Sequence, residues 1–327
     1  MIKQEKEEKF LRNNMEQLNS KILLFGEYAI LHDGMALVIP FDKYHGRFEK
    51  SSKTCEINTE ALQSNEYLRK FCAFISSRMN DEFVLEVKKF EKELDEGLFF
   101  KSNIPQGYGL GSSGALVAAI VLRYLVKAKN IKDDIKLKSY QKIKELKSSL
   151  GDLESYFHGV SSGLDPLSII LNEPILYQST QNVITAELPK QSADKSNVIF
   201  LVDSESPRTT SNMMKRFNNL IDTDIFKNKF ENYIQEDNNG SIQSFLNNDM
   251  DKFYKNIHNL SMFQYDYMKE FFPEKLQSLV AKGLDNGDYS LKLCGAGGGG
   301  FTLGFTRNWE TTKNHLKDYQ LEEIYAY

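Results

Sequence analysis

Four glycines fall within eight residues, Gly107, Gly109, Gly111 and Gly114, inside the stretch 105–119 that reads P-Q-G-Y-G-L-G-S-S-G-A-L-V-A-A. No other feature limits the fold so tightly. Glycine lets the backbone turn sharply and bring its N–H groups towards an anion without side-chain obstruction. The small apolar residues that follow are good helix formers. The stretch therefore reads as a loop feeding a helix N-terminus, where orphan N–H groups and the helix dipole favour phosphate. Residues 109–114, G-L-G-S-S-G, formally match the dinucleotide fingerprint. That fingerprint needs an acid closing a second strand about 20 residues on, and the acids there, Asp133 and Asp134, lie in a lysine-rich polar stretch. There is no G-x-x-x-x-G-K-[ST], no D-F-G and no H-R-D, so a Walker loop and a protein kinase are excluded. A glycine turn that merely packs a helix closely remains as the bland alternative.

Three further constellations bear on chemistry. Residues 154–165, E-S-Y-F-H-G-V-S-S-G-L-D, place two carboxylates around a loop of small residues. Beside a phosphate loop, Glu154 suits magnesium, which takes one or two carboxylates plus phosphate and water oxygens, and the other carboxylate can accept a proton from a hydroxyl. An Asp before a Pro is, on its own, more simply a turn residue or helix cap. His158 has no second His or Cys at metal spacing and reads as a packed residue. Residues 292–301, K-L-C-G-A-G-G-G-G-F, set four consecutive glycines between two strand-like runs. Their chain entropy is hard to justify unless backbone must approach something closely. Lys21 opens the first apolar strand and Glu27 follows it; surface placement is the default for both.

Along the chain, residues 21–25 (K-I-L-L-F) predict a short buried strand, and Asp33-Gly34 predicts the turn of a hairpin returning through 36–39. Strands are further expected at 45–48, 54–57, 174–178, 183–188, 198–202, 289–293 and 301–305. Helices are expected over 66–79, 114–129, 153–159, 211–220, 253–272 and 273–283, with a turn at 237–240. Residues 130–149 carry six lysines and almost no aromatics, which reads as a solvated face rather than a nucleic-acid patch. The polar stretch 189–197 predicts a domain boundary, giving a charged extension over 1–19, one domain over 20–190 and a second over 191–327. A net charge of −4 in 327 residues gives no global attraction to nucleic acid or to an anionic membrane. The longest apolar run, 115–126, is too short to span a bilayer and contains Arg123. The charged N-terminus is unlike a signal peptide. Cys55, Cys72 and Cys294 lack C-x-x-C spacing, so unpaired thiols and a cytoplasmic location are expected.

Taken in order, these elements resemble the GHMP kinase superfamily, and within it the mevalonate kinases. The resemblance rests on residues 20–31 (S-K-I-L-L-F-G-E-Y-A-I-L), 105–115 (P-Q-G-Y-G-L-G-S-S-G-A), 158–165 (H-G-V-S-S-G-L-D) and 292–300 (K-L-C-G-A-G-G-G-G), with a weaker match at 207–210 (P-R-T-T). It implies an α+β fold of two domains with the active site between them. The N-terminal domain would be like the second domain of ribosomal protein S5, and the C-terminal domain ferredoxin-like. It also implies ATP- and Mg2+-dependent phosphorylation of a small alcohol, mevalonate or a similar acceptor. By position, Asp165 matches the catalytic aspartate and Lys21 the lysine beside it. Ser113 and Glu154 match magnesium ligands. Gly107, Gly109, Leu110, Gly111, Ser112, Ser113 and Gly297 match nucleotide-binding positions. Glu27, Tyr28, His158, Arg208 and Thr210 fall on the acceptor side. Tyr28 stands where the family has His, which bears on the acceptor. Phosphomevalonate kinase is the nearest enzyme alternative, and a non-catalytic nucleotide-binding protein of the same fold is the alternative of another class. The resemblance also allows a homodimer.

Overall fold

The computed structural model describes residues 17–51, 59–79, 83–126, 140–179, 182–193, 196–206 and 210–327. The first apolar run forms strand β1 (Leu18–Phe25), with Ile22, Leu24 and Phe25 fully buried. Gly26 ends it at φ +112°, where a Cβ would collide with Ala36. The chain then makes one 3-10 turn, Ala29–His32, before the long strand β2 (Ala36–Lys50), the neighbour of β1 in the sheet. The expected tight hairpin is thus widened, because Tyr28 and Asp33 on either side of that turn both take left-handed backbone.

Two compact units emerge, and their segments interleave in sequence. One takes the chain up to Lys21, Pro40–Pro105 and Gly111–Glu173; the other takes Ile22–Ile39, Gln106–Leu110 and Pro174–Tyr327. In the first, the end of β2 pairs antiparallel with β3 (Leu98–Ser102), from Gly46 opposite Ser102 to Lys50 opposite Leu98. Helices α1 (Thr59–Ser76) and α2 (Val87–Asp95) pack on β3. Helix α3 (Ser112–Tyr124) packs against α4 (Tyr140–His158) and α5 (Leu164–Leu171). Nearly every side chain of α3 is buried, as its unbroken apolar sequence requires. Its one charge, Arg123, is satisfied internally: Nε and a terminal nitrogen bind both oxygens of Glu93 at 2.7 and 2.9 Å, and the Tyr124 hydroxyl donates to the same carboxylate. The far end of α3 is thereby tied to α2 by a buried ion pair.

In the second unit, the start of β2 pairs antiparallel with β4 (Ile175–Ser179), which in turn pairs with β5 (Asn182–Thr185). A separate four-stranded antiparallel sheet follows the order β7-β8-β6-β9, formed by β6 (Val198–Asp203), β7 (Tyr289–Leu293), β8 (Phe301–Thr306) and β9 (Leu321–Ala326). Helices α6 (Thr210–Ile221), α7 (Asp224–Asn232), α8 (Asn239–Leu246), α9 (Met250–Met268) and α10 (Glu274–Asn286) connect β6 to β7, and α11 (Trp309–His315) connects β8 to β9. This strand order and crossover pattern is ferredoxin-like, as expected.

Several local expectations change. The turn expected at 237–240 is instead helical: a π-helical turn, Tyr233–Asn238, runs directly into α8. Polar residues there misled the reading, because Asn238 and Asn239 are buried and bind Met35 through its backbone. The strand expected at 54–57 lies outside the described residues. Among the described residues, no helix is long and apolar enough to cross a membrane. Cys72 and Cys294 are buried and neither is in a disulfide.

Candidate active site

The glycine loop delivers α3 as its sequence predicts. Gly107, Gly109 and Gly111 all take φ near +80°, and Gly111 is the N-terminal cap of α3 without any side-chain capping bond. Leu110 between them is fully buried and anchors the loop. Ser112 and Ser113 open the helix. A Cβ on Gly111 would meet the Lys21 stem at 3.0 Å, so glycine there lets the lysine pass beneath the loop.

Lys21 and Asp165 form an ion pair of 2.9 Å. The lysine side chain is 6% exposed and the aspartate 35%, so the pair presents its carboxylate outward and hides its ammonium. The default of a surface Lys21 is overturned: β1 carries it inward beside α5. Asp165 lies in the first turn of α5, whose positive dipole end favours a carboxylate. Gly114 explains how the two helix starts approach. A Cβ there would lie 3.0 Å from the Pro166 nitrogen and 3.1 Å from the Asp165 carbonyl carbon.

Glu154, on α4, is 3% exposed. One of its oxygens accepts from the Ser113 hydroxyl at 3.0 Å and the other from the Ser161 hydroxyl at 2.5 Å. Ser161 carries no sequence-level signal beyond its place in S-S-G. Gly151 and Gly163 let its loop lie directly on α4, for a Cβ on either would clash with backbone across the contact. Burial, and then the charge of Asp165, push the Glu154 carboxyl up to about 7. Both effects disfavour an anion, and a nearby cation would oppose them by stabilising the carboxylate, so the donor set fits a divalent metal. Among the described residues no group of three or more His, Cys, Asp and Glu stands ready to hold one. A metal on Ser113 and Glu154 would take its other ligands from phosphate and water, the coordination magnesium favours.

The second unit assembles a different cluster. Glu27 is 3% exposed, again against the surface default, and its Oε1 forms an ion pair with Lys292; neither side chain has any exposed surface. Its Oε2 makes no hydrogen bond. Burial raises the Glu27 carboxyl, with the Lys292 charge opposing it. Lys292 is the lone charge in the apolar strand Y-S-L-K-L, and that oddity was the signal by which it could have been found. Tyr28 stacks on Phe217 with ring centroids 4.3 Å apart, and its hydroxyl donates to the Ala296 carbonyl at 2.7 Å. In the second glycine loop, Gly295, Gly297, Gly298 and Gly300 have φ between +69° and +77°. A Cβ on Gly297 would strike the Phe271 carbonyl, and one on Gly300 would lie 2.7 Å from the Tyr108 Cα. His158 closes α4 and Thr210 opens α6, while Arg208 lies outside the described residues.

The fold is α+β, and in the first unit a glycine-rich helix start stands beside a Lys–Asp pair. Three solved structures are similar in fold along almost their whole lengths. L. major mevalonate kinase in complex with R-mevalonate is 15% identical, with a TM-score of 0.61 and coverage of 96% of this chain and 97% of that one. Streptococcus pneumoniae phosphomevalonate kinase in complex with phosphomevalonate and AMPPNP is 16% identical, with a TM-score of 0.57 and coverage of 94% and 99%. Lactococcus lactis galactokinase complexed with galactose is 14% identical, with a TM-score of 0.56 and coverage of 95% and 92%. No curated protein matches the sequence. Residues 82–172 match the family described as GHMP kinases N terminal domain. That segment holds the glycine loop, Glu154 and Asp165. The chain carries a GHMP kinase N-terminal domain and has the GHMP kinase fold.

Proposed function

We propose that this protein is an ATP-dependent kinase of the GHMP type that phosphorylates the hydroxyl of a small alcohol, with mevalonate the first candidate. The observation that carries the reading is the Lys21–Asp165 pair of 2.9 Å next to the Ser113–Glu154 hydrogen bond. A protein that only bound nucleotide would need no half-exposed carboxylate held against a buried ammonium.

Backbone N–H groups of the loop from Gly107 to Ser113 bind and orient the nucleotide phosphates. ATP supplies the γ-phosphoryl group; Ser113 and Glu154 would hold magnesium, which when bound would supply positive charge against the phosphates. Asp165 accepts the proton of the acceptor hydroxyl as the new O–P bond forms and the bond to the β-phosphate oxygen breaks, releasing ADP. Lys21 orients Asp165 through their 2.9 Å ion pair and offsets the negative charge that develops. Most of the acceleration in such a site comes from positioning and electrostatics.

Two features support mevalonate over its phosphorylated relative as acceptor: the H-G-x-x-S-G-x-D element at 158–165 and the G-A-G-G-G-G element at 295–300. ADP release measured with mevalonate, phosphomevalonate, galactose and homoserine, each with Mg2+ and ATP, tests the reading. Turnover restricted to mevalonate supports it. ATP binding without turnover of any of the four would replace it with the non-catalytic alternative.

A further inference from the structure

The residues expected on the acceptor side, Glu27 and Tyr28, are arranged for another task. The Glu27 carboxylate has no exposed surface and is committed to Lys292. The Lys292 ammonium also donates to the Leu293 carbonyl at 2.8 Å, and the Leu293 amide donates to Gln264 Oε1 at 2.8 Å. Gln264 Nε2 in turn donates to the Tyr233 hydroxyl at 3.1 Å. The last residue of β7 is thereby held on both its carbonyl and its amide, two residues before Gly295 opens the second glycine loop. Tyr28 holds the same loop three residues further on, through Ala296. It does so from φ +59°, a conformation that disfavours an aromatic residue and persists only where its surroundings over-determine it. Phe217 and Phe271 supply those surroundings, stacked on and edge-on to its ring.

The loop passes this order on. The Gly298 amide donates to the Phe271 carbonyl and the Gly300 amide to the Ser206 carbonyl, each at 2.6 Å. Gly300 lies so close to residues 107 and 108 that a Cβ would be 2.7 Å from the Tyr108 Cα and 3.0 Å from the Gly107 carbonyl oxygen. The phosphate loop thus rests its first residues on the second glycine loop.

We infer that residues 26–28 form a clamp that sets the second glycine loop, and through it the start of the phosphate loop, so that Glu27 and Tyr28 are positioning residues for nucleotide rather than contacts for the acceptor. The clamp itself is read from geometry, and its effect on nucleotide rests on the kinase reading above. A buried ion pair contributes little net stability but strongly prefers one arrangement of the backbone it touches, which is what a loop of glycines lacks.

The test uses the full chain, as wild type, as Tyr28→Phe, which removes one hydroxyl and keeps the ring stack, and as the double variant Glu27→Gln with Lys292→Met. Hydrogen exchange of the peptide covering 294–301 is read alongside the affinity for a fluorescent ATP analogue with Mg2+. Loss of one buried hydrogen bond speeds exchange in that peptide by about tenfold in Tyr28→Phe, leaving α9 and α10 unchanged. Analogue affinity falls several-fold, while KM for the acceptor moves less than KM for ATP. Unchanged exchange at 294–301 in Tyr28→Phe overturns the clamp. Faster exchange with unaltered nucleotide affinity, or a change confined to the acceptor KM, overturns its role for nucleotide. Absence of saturable analogue binding by the wild type refutes the kinase reading, and the exchange result still decides the clamp. If the double variant does not fold, Tyr28→Phe decides alone.

Discussion

The Glu154 carboxyl supplies a prediction with a sign that general structural damage would not produce. Buried, beside Asp165, it is held at about 7 instead of its ordinary 4.5. The folded protein therefore keeps a proton that the unfolded chain releases. The stabilisation from that proton is complete below pH 4.5 and is lost as pH rises through about 7. Each tenfold step in proton affinity is worth about 1.4 kcal/mol, so without a divalent cation the loss approaches ~3 kcal/mol by pH 8. Glu154→Gln keeps a neutral amide that can accept from one serine and donate to the other, and does not titrate. Urea denaturation followed by circular dichroism in EDTA, from pH 5 to pH 8, compares the two proteins. Glu154→Gln should be no more stable than wild type at pH 5 and more stable by roughly 2–3 kcal/mol at pH 8. Magnesium with an ATP analogue should close that gap at pH 8 by stabilising the wild type alone. Parallel pH profiles for the two proteins would refute the reasoning, because Glu154 would then be ionised in both folded and unfolded states.

Other outcomes follow from the same geometry. Asp165→Asn should keep its fold by circular dichroism while turnover drops about 10²–10⁴-fold, the usual contribution of a general base; near-normal turnover removes Asp165 from that role. Gly114→Ala pushes a methyl against the start of α5 at 3.0–3.1 Å. It should lower stability by about 1–3 kcal/mol despite the better helix propensity of alanine, and weaken magnesium-dependent nucleotide binding in a calorimetric titration. Lys292→Met leaves Glu27 buried without its partner and should cost about 3–5 kcal/mol in thermal or urea unfolding. Adding Glu27→Gln to Lys292→Met should recover part of that loss, since neither side chain then carries a charge.

Much of the local structure was legible because it depends on neighbours in sequence. The glycines at 107, 109 and 111 had to take left-handed backbone for the chain to enter α3, and the apolar sequence that follows had to be buried. The strands at 198–202, 289–293 and 301–305 declared themselves as short apolar runs, and glycine bounded the last two. Polar residues were read less well. Asn238 and Asn239 suggested a turn and form a buried helical junction, because Met35, some two hundred residues earlier, offers their amides backbone partners.

The sequence by itself determined that a glycine-rich loop would open a buried helix and that a strand–glycine–strand element would stand near the end of the chain. Its motifs, through their resemblance to the GHMP kinases, implied that Lys21, Ser113, Glu154 and Asp165 belong to one kind of site. Local conformational preference is enough for the loop, the helix and the strands. Only the tertiary structure decided that Lys21 and Glu27, polar residues that belong on a surface by default, are buried, and which partner each takes. It alone brought Ser161 to Glu154 and Lys292 to Glu27, and it alone turned Tyr28 onto the Ala296 carbonyl. Those outcomes depend on burial and packing, and for Lys292 with Glu27 and Tyr28 with Ala296 on contacts 265 and 268 residues apart in sequence. A charge is tolerated inside a protein only where the fold supplies its counter-charge, and where that lies is a property of the packed chain.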